Sequence, residues 1–130
     1  MSERVKVVSL LPHNVTFISR AKRTRVIPPS GRVAVVSYEA DWYTMKTSVG
    51  DFPVRFNTRA ILTVYEADET AYPFPPETEG TVYLVSTAVA RHLLHRRDVI
   101  CPNTRVNGVF SGGGKLIGVS AFTNFATEVD

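Results

Sequence analysis

Proline and glycine cut this chain into apolar stretches too short for most helices, and that punctuation limits the fold more than any other feature. Val5-Lys6-Val7-Val8-Ser9-Leu10-Leu11 and Val15-Thr16-Phe17-Ile18 flank Pro12-His13-Asn14. Both are rich in β-branched residues and hold no helical period, which predicts two strand pieces about a proline bend. Arg23 to Ile27 is a third candidate strand, stopped by Pro28-Pro29-Ser30-Gly31. Two prolines fix φ and remove two donors, and the glycine admits a tight turn, so residues 23–38 read as a hairpin closed by the strand from Arg32 to Tyr38.

Further along, Tyr43 to Ser48 and Asp51 to Phe56 lie either side of Val49-Gly50, with apolar side chains alternating at Phe52, Val54 and Phe56. Ala60 to Tyr65 is a longer strand candidate. Residues 66–80, with five acidic residues and three prolines, have the composition of a long loop. Thr81-Val82-Tyr83-Leu84-Val85 reads as a fully buried strand. Ser86 is a good N-cap for a helix over residues 87–95, the chain's main helix. Val99-Ile100-Cys101-Pro102 is a short strand, Asn107-Gly108 a two-residue hairpin turn, and Ser111 to Gly114 a second turn before the strand Lys115 to Val119. No internal repeat or linker interrupts residues 1–130. The expected fold is a single α+β domain, mainly antiparallel sheet with one main helix packed on it.

Composition narrows the function classes. At 130 residues and 44% hydrophobic, the chain suits one compact domain, and no apolar run approaches the roughly 20 residues that span a bilayer. Its start lacks a signal-peptide pattern, which sets the expectation of an unprocessed protein of the cytoplasm. A lone Cys101 forms no internal disulfide and fits a reducing compartment. Asn14-Val15-Thr16 matches the glycosylation pattern by chance occurrence. Charge is uneven: residues 1–37 carry seven Lys or Arg against one Glu, residues 38–80 three against eight acidic groups, and residues 81–130 five against three. Arg20, Lys22, Arg23 and Arg25 are either a solvated loop or a footprint for nucleic acid, the former being favoured.

Several motifs resemble those of a poorly characterised family of small phage and bacterial proteins. They are Leu10-Leu11-Pro12-His13, the Ile27 to Gly31 segment, Gly80 to Ala90 (G-T-x-Y-x-V-S-x-x-V-A), Arg97 to Pro102, and Gly114 to Gly118, in order between residues 5 and 122. The chain departs from that pattern at Ser111 to Gly114, where an acidic residue is usual, and in the basic residues 20–25. The resemblance implies a virus-encoded or mobile-element protein and carries no reaction with it.

Candidate sites follow from residue chemistry. The strand-to-helix passage at Ser86-Thr87 offers backbone N–H groups and hydroxyls to a phosphate or carboxylate, or simply caps the helix. Arg91 and Arg97, within the run Arg91, His92, His95, Arg96, Arg97 and Asp98, can grip phosphate or complement the helix dipole, with Arg97 alternatively pairing with Asp98. His13 and Ser30 stand in loops that can converge on the same place. His92 and His95 share a helical spacing, but no third ligand is apparent for a metal, and none is expected. Gly112-Gly113-Gly114-Lys115 lacks the Ser/Thr and helix of a phosphate loop. Ser30, Ser86 and Cys101 have no nucleophile signature around them, and Cys101 reads as a packed thiol.

These residues lead to the expectation of a non-enzymatic, phage-type accessory protein, needing no cofactor, that binds a small phosphorylated, nucleotide-like ligand and sequesters a host signal. His13, Ser30, Ser86, Thr87, Arg91 and Arg97 would form its site. One alternative is a virion or other assembly component, homo-oligomeric or joined to virion proteins, in which basic residues 20–25 meet acidic residues 66–79 of a neighbour. Another is a small nucleotide-processing enzyme using His13, His92 or Asp98 in acid–base work.

Overall fold

The computed structural model describes residues 4–126. Ten strands and two short helices follow in the order β1 (Lys6–Ser9), β2 (Val15–Ile18), β3 (Thr24–Ile27), β4 (Val33–Thr47), β5 (Gly50–Tyr65), β6 (Ala71–Pro73), β7 (Thr81–Leu84), α1 (Thr87–Ala90), β8 (Val99–Ile100), α2 (Thr104–Asn107), β9 (Gly108–Phe110) and β10 (Leu116–Val119). The fold is mostly β, as the short apolar stretches require, but the sheets are mixed. One sheet, β1-β7-β8, is parallel throughout; the second, β3-β2-β10-β9, joins β2 to β10 in parallel and its outer pairs antiparallel; the third, β4-β5-β6, is antiparallel. None of the helices among the described residues is long and apolar enough to cross a membrane.

The expected main helix over residues 87–95 is a single turn, Thr87–Ala90, so there is no main helix. The hydrogen bonds after it tighten, with the N–H groups of His92 and Leu93 donating to the carbonyls of Val89 and Ala90 three residues back. β7 and β8 are parallel, so residues 85–98 carry the chain back along the sheet, but past Ala90 the expected apolar helical face is not covered, Leu94 being 47% exposed. Only Val89 and Ala90 of the helix are buried, and so short a helix depends on that packing.

The expected hairpin over residues 23–38 does not form. β3 pairs with β2, and β4 pairs with β5 instead. The Pro28-Pro29-Ser30-Gly31 linker is tied elsewhere: the Ser30 N–H and hydroxyl both donate to the Ser9 carbonyl, and the Ala34 N–H donates to Leu10. These bonds carry the chain from one sheet to another. Asn107-Gly108 is likewise not a hairpin turn; Asn107 closes α2, its N–H donating to Asn103, and Gly108 opens β9. The turn at Ser111 to Gly114 does join β9 to β10, with Gly114 at φ 84°. The acidic loop contains the short strand β6 on the edge of β5.

β7 lies at the centre of the parallel sheet and of the core. Its Tyr83 packs with Val85, Val89, Val99 and Cys101 on one side, while Leu84 reaches a second cluster with Leu11, Val15 and Val119. Ala34 and Val64 attach the base of the β4–β5 ribbon to the first cluster.

Candidate functional site

The residues expected to form one ligand site are spread over separate places. Ser86 is occupied as a cap, its hydroxyl accepting the Val89 N–H at 3.3 Å. Thr87 and Arg91 line an open cleft of about 490 Å³ together with Asn103, Thr104 and Arg105. The Thr87 hydroxyl points to the Cys101 sulfur at 3.8 Å. His13 lies in an adjoining cleft of about 200 Å³ that shares Thr104 with the first, and its Nδ1 is 2.9 Å from the Asn14 carbonyl. Ser30 braces a loop against Ser9. Arg97 lines a third cleft beside Glu77, Glu79 and Asp98. Thr87 and Arg91 are therefore brought together, His13 is next door, and Ser30 and Arg97 line neither of those two clefts.

The carboxylate of Asp98 belongs to Arg96, not Arg97. Arg96 Nε and a terminal nitrogen each donate to it at 2.7 Å, with the guanidinium also 3.5 Å from Glu77 and over the Phe74 ring at 5.3 Å. The hydrogen bonds to Asp98 raise the Arg96 pKa above its ordinary value, against an opposing push from burial. His92 Nε2 is 2.9 Å from the Tyr38 hydroxyl, joining the α1 turn to β4. Among the described residues no three His, Cys, Asp or Glu side chains gather as metal ligands would. Cys101 is fully buried, and burial pushes its thiol pKa up, which opposes nucleophilic use.

The most conspicuous surface was only half visible in the sequence. Residues 32–38 and 43–48 are one strand, and residues 51–56 and 60–65 are another, so β4 and β5 form a ribbon far longer than either expected piece. A bulge at Thr58, between the Glu39–Arg59 and Ala40–Asn57 pairs, divides it. Below the bulge the ribbon sits on the core. Above it, residues 40–47 and 50–57 project about 25 Å at roughly 3.3 Å per residue.

The projecting part is two-faced. Pairing places Tyr43, Met45, Phe52, Val54 and Phe56 on one side, with Trp42, Thr44, Lys46, Asp51 and Arg55 on the other. Tyr43 and Phe56 meet edge to face at 5.7 Å. Tyr43, Met45, Phe52 and Phe56 nevertheless remain 46%, 42%, 44% and 42% exposed, and Trp42 and the tip residue Val49 reach 62% and 78%. Taking about 200 Å² for each large side chain, the apolar side shows on the order of 350 Å² to water. That falls within the roughly 300–600 Å² of the largest apolar patch on a typical monomer, which is often a functional surface. The alternation at Phe52, Val54 and Phe56 was the sequence signal for this face.

The chain matches no protein family, no curated protein and no solved structure.

Proposed function

We propose that this protein is an assembly component that acts through protein–protein contacts made by its projecting β4–β5 ribbon. The observation that carries this reading is the exposed face of Tyr43, Met45, Phe52 and Phe56 on a ribbon over which none of the described residues forms a layer. An isolated two-stranded ribbon is at best marginal in water, and a third strand or a covering layer supplies what it lacks. The exposed basic residues Arg20, Lys22, Arg23 and Arg25 and the exposed acidic residues Asp68, Glu69, Glu77 and Glu79 provide a second, salt-sensitive contact between neighbours. We propose a virion or mobile element as the setting of that assembly.

Sedimentation of the full chain from low-micromolar to near-millimolar concentration tests the proposal. Association is expected for the native chain and its loss in a Trp42→Ser, Phe52→Ser, Phe56→Ser variant. A native chain that stays monomeric throughout, alone and in extracts of its source cells, would overturn it.

A second reading, binding of a small phosphorylated ligand, has its own support in the cleft lined by Arg91, Arg105, Thr87 and Thr104. Two guanidinium groups in one cleft suit a phosphate. Native mass spectrometry of protein purified from its source cells should then release a nucleotide-sized mass, with retention lost in Arg91→Ala and Arg105→Ala. Ligand-free protein with unaltered behaviour in both variants would remove this reading.

A further inference from the structure

We infer that the partner of the ribbon is a second copy of this chain, joined edge to edge through β4 with Thr44 opposite Thr44 on a twofold axis. The inference rests on the assembly reading and adds the partner and the register.

The two outer edges of the ribbon are unlike. That of β5 carries Pro53 and the Thr58 bulge, and its base is already paired with β6. Proline and bulges are the usual devices that keep an edge strand from pairing further. β4 is the edge strand of its sheet. From Asp41 to Thr47 it reads Asp-Trp-Tyr-Thr-Met-Lys-Thr, without proline, glycine or bulge and with high strand propensity. One edge is protected and the other is open.

Pro53 also fixes which groups the open edge presents. Lacking an N–H, it belongs at a position whose nitrogen faces away from the partner strand. Thr44 is its partner across the ribbon. Antiparallel pairs alternate between bonded and non-bonded, so Thr44, and with it Trp42 and Lys46, turns N–H and C=O outward. A second β4 can exchange hydrogen bonds with Thr44 and Lys46 directly, and with the Trp42 N–H in place of the Asp41 carboxylate that accepts it at 2.9 Å.

The register follows from face and chemistry. An antiparallel match must set like faces together, which restricts the twofold axis to pass at a residue of β4 and not between two. At Thr44 the axis places Tyr43 against Met45 on the apolar side and Trp42 against Lys46 on the other, with Asp41 against Thr47. Aromatic–thioether and cation–aromatic pairs both attract, and no like charges are opposed. Moving the axis to Tyr43 sets Asp41 against Met45, and moving it to Met45 leaves Trp42 opposite the turn. Of these three registers, the Thr44 one alone sets Tyr43 against Met45 and Trp42 against Lys46. Two marginal ribbons thereby become one four-stranded sheet with a continuous apolar side, and twofold pairing builds an even-numbered assembly.

Cysteine cross-linking of the full chain tests this, since the native Cys101 is buried and silent. Thr44→Cys should oxidise to a covalent dimer as the main species on a non-reducing gel, because paired strands bring Cα atoms within disulfide range. Arg55→Cys, on the same side but on the far strand, should stay at the native background. Without any substitution, amide exchange at Thr44 and Lys46 should slow at least about tenfold as the protein associates. Association of the native chain with Thr44→Cys left unlinked and those amides unprotected overturns the β4 pairing while the assembly reading stands. A native chain monomeric at every concentration overturns the pairing of two copies, and the assembly reading with it where the chain also stays monomeric in extracts of its source cells; cross-linking of Arg55→Cys as efficiently as Thr44→Cys overturns the register.

Discussion

Replacing Asp98 by alanine should cost about 2–3 kcal/mol of stability. The carboxylate accepts two charge-assisted hydrogen bonds from Arg96, each 2.7 Å long. The two side chains are only 18% and 13% exposed, so water compensates poorly for the loss. Removing one partner of a fully buried pair costs roughly 3–5 kcal/mol, and an exposed pair contributes about 0–1 kcal/mol. This pair sits toward the buried limit, with Glu77 at 3.5 Å taking up part of the freed charge. With a urea dependence of about 1–3 kcal/mol per molar, the midpoint should fall by about 0.7–3 M. Arg97→Ala should stay within about 0.5 kcal/mol of the native chain, because its side chain is exposed. A double-mutant cycle of Asp98→Ala with Arg96→Leu should recover a coupling of about 1.5–2.5 kcal/mol. Refutation is direct: a loss below about 0.5 kcal/mol for Asp98→Ala, or an equal loss for Arg97→Ala, means that the pair does not hold the turn into β8.

Leu84→Ala empties a fully buried position on the central strand and should lower stability by about 3–4 kcal/mol in thermal or urea unfolding. In Gly118→Ala the new Cβ would lie 2.7 Å from the Thr16 carbonyl oxygen across the β10–β2 pair, costing about 1–3 kcal/mol, whereas Gly112→Ala meets nothing and should be neutral by the same assay. Cys101 should react with iodoacetamide far more slowly in the native than in the unfolded chain. Its thiol pKa is raised by burial, so the stability it contributes is present below the unfolded thiol's pKa of about 8.5 and is lost as pH rises toward the folded value. Cys101→Ala should flatten that alkaline decline in urea titrations.

The parts of the fold that were legible in the sequence are those whose cause is local. Val15–Ile18 is a strand with the expected ends, and β7 is buried from Tyr83 on, because β-branched content and flanking turn residues act within a few positions. Pairing partners were not legible. The hairpin expected across Pro28-Pro29 fails because Ser30 bonds to Ser9, a contact from a distant strand. The long ribbon reads as four pieces because Glu39 and Asp41 on one strand and Asn57 on the other are poor strand formers, and the bulge at Thr58 breaks the alternation. Of the candidate site, Thr87 and Arg91 were found, but Asn103, Thr104 and Arg105 enter the cleft through α2, a helix of four residues with too little period to read. The aromatic side chains of the ribbon were seen as strand residues, and the absence of anything to cover them is visible only in three dimensions.

The parallel pairing of β1 with β7 has a kinetic consequence. Residues 6–9 must find residues 81–84 before the central sheet exists, while the β4–β5 ribbon closes locally around its Ser48-Val49 turn. Loop-closure entropy makes the first event slow and the second fast. A newly made chain therefore displays its aromatic ribbon before the core that anchors it has closed. Folding yield should fall with concentration during refolding more steeply than native stability alone dictates, and encounters between ribbons of incomplete chains are where that loss begins.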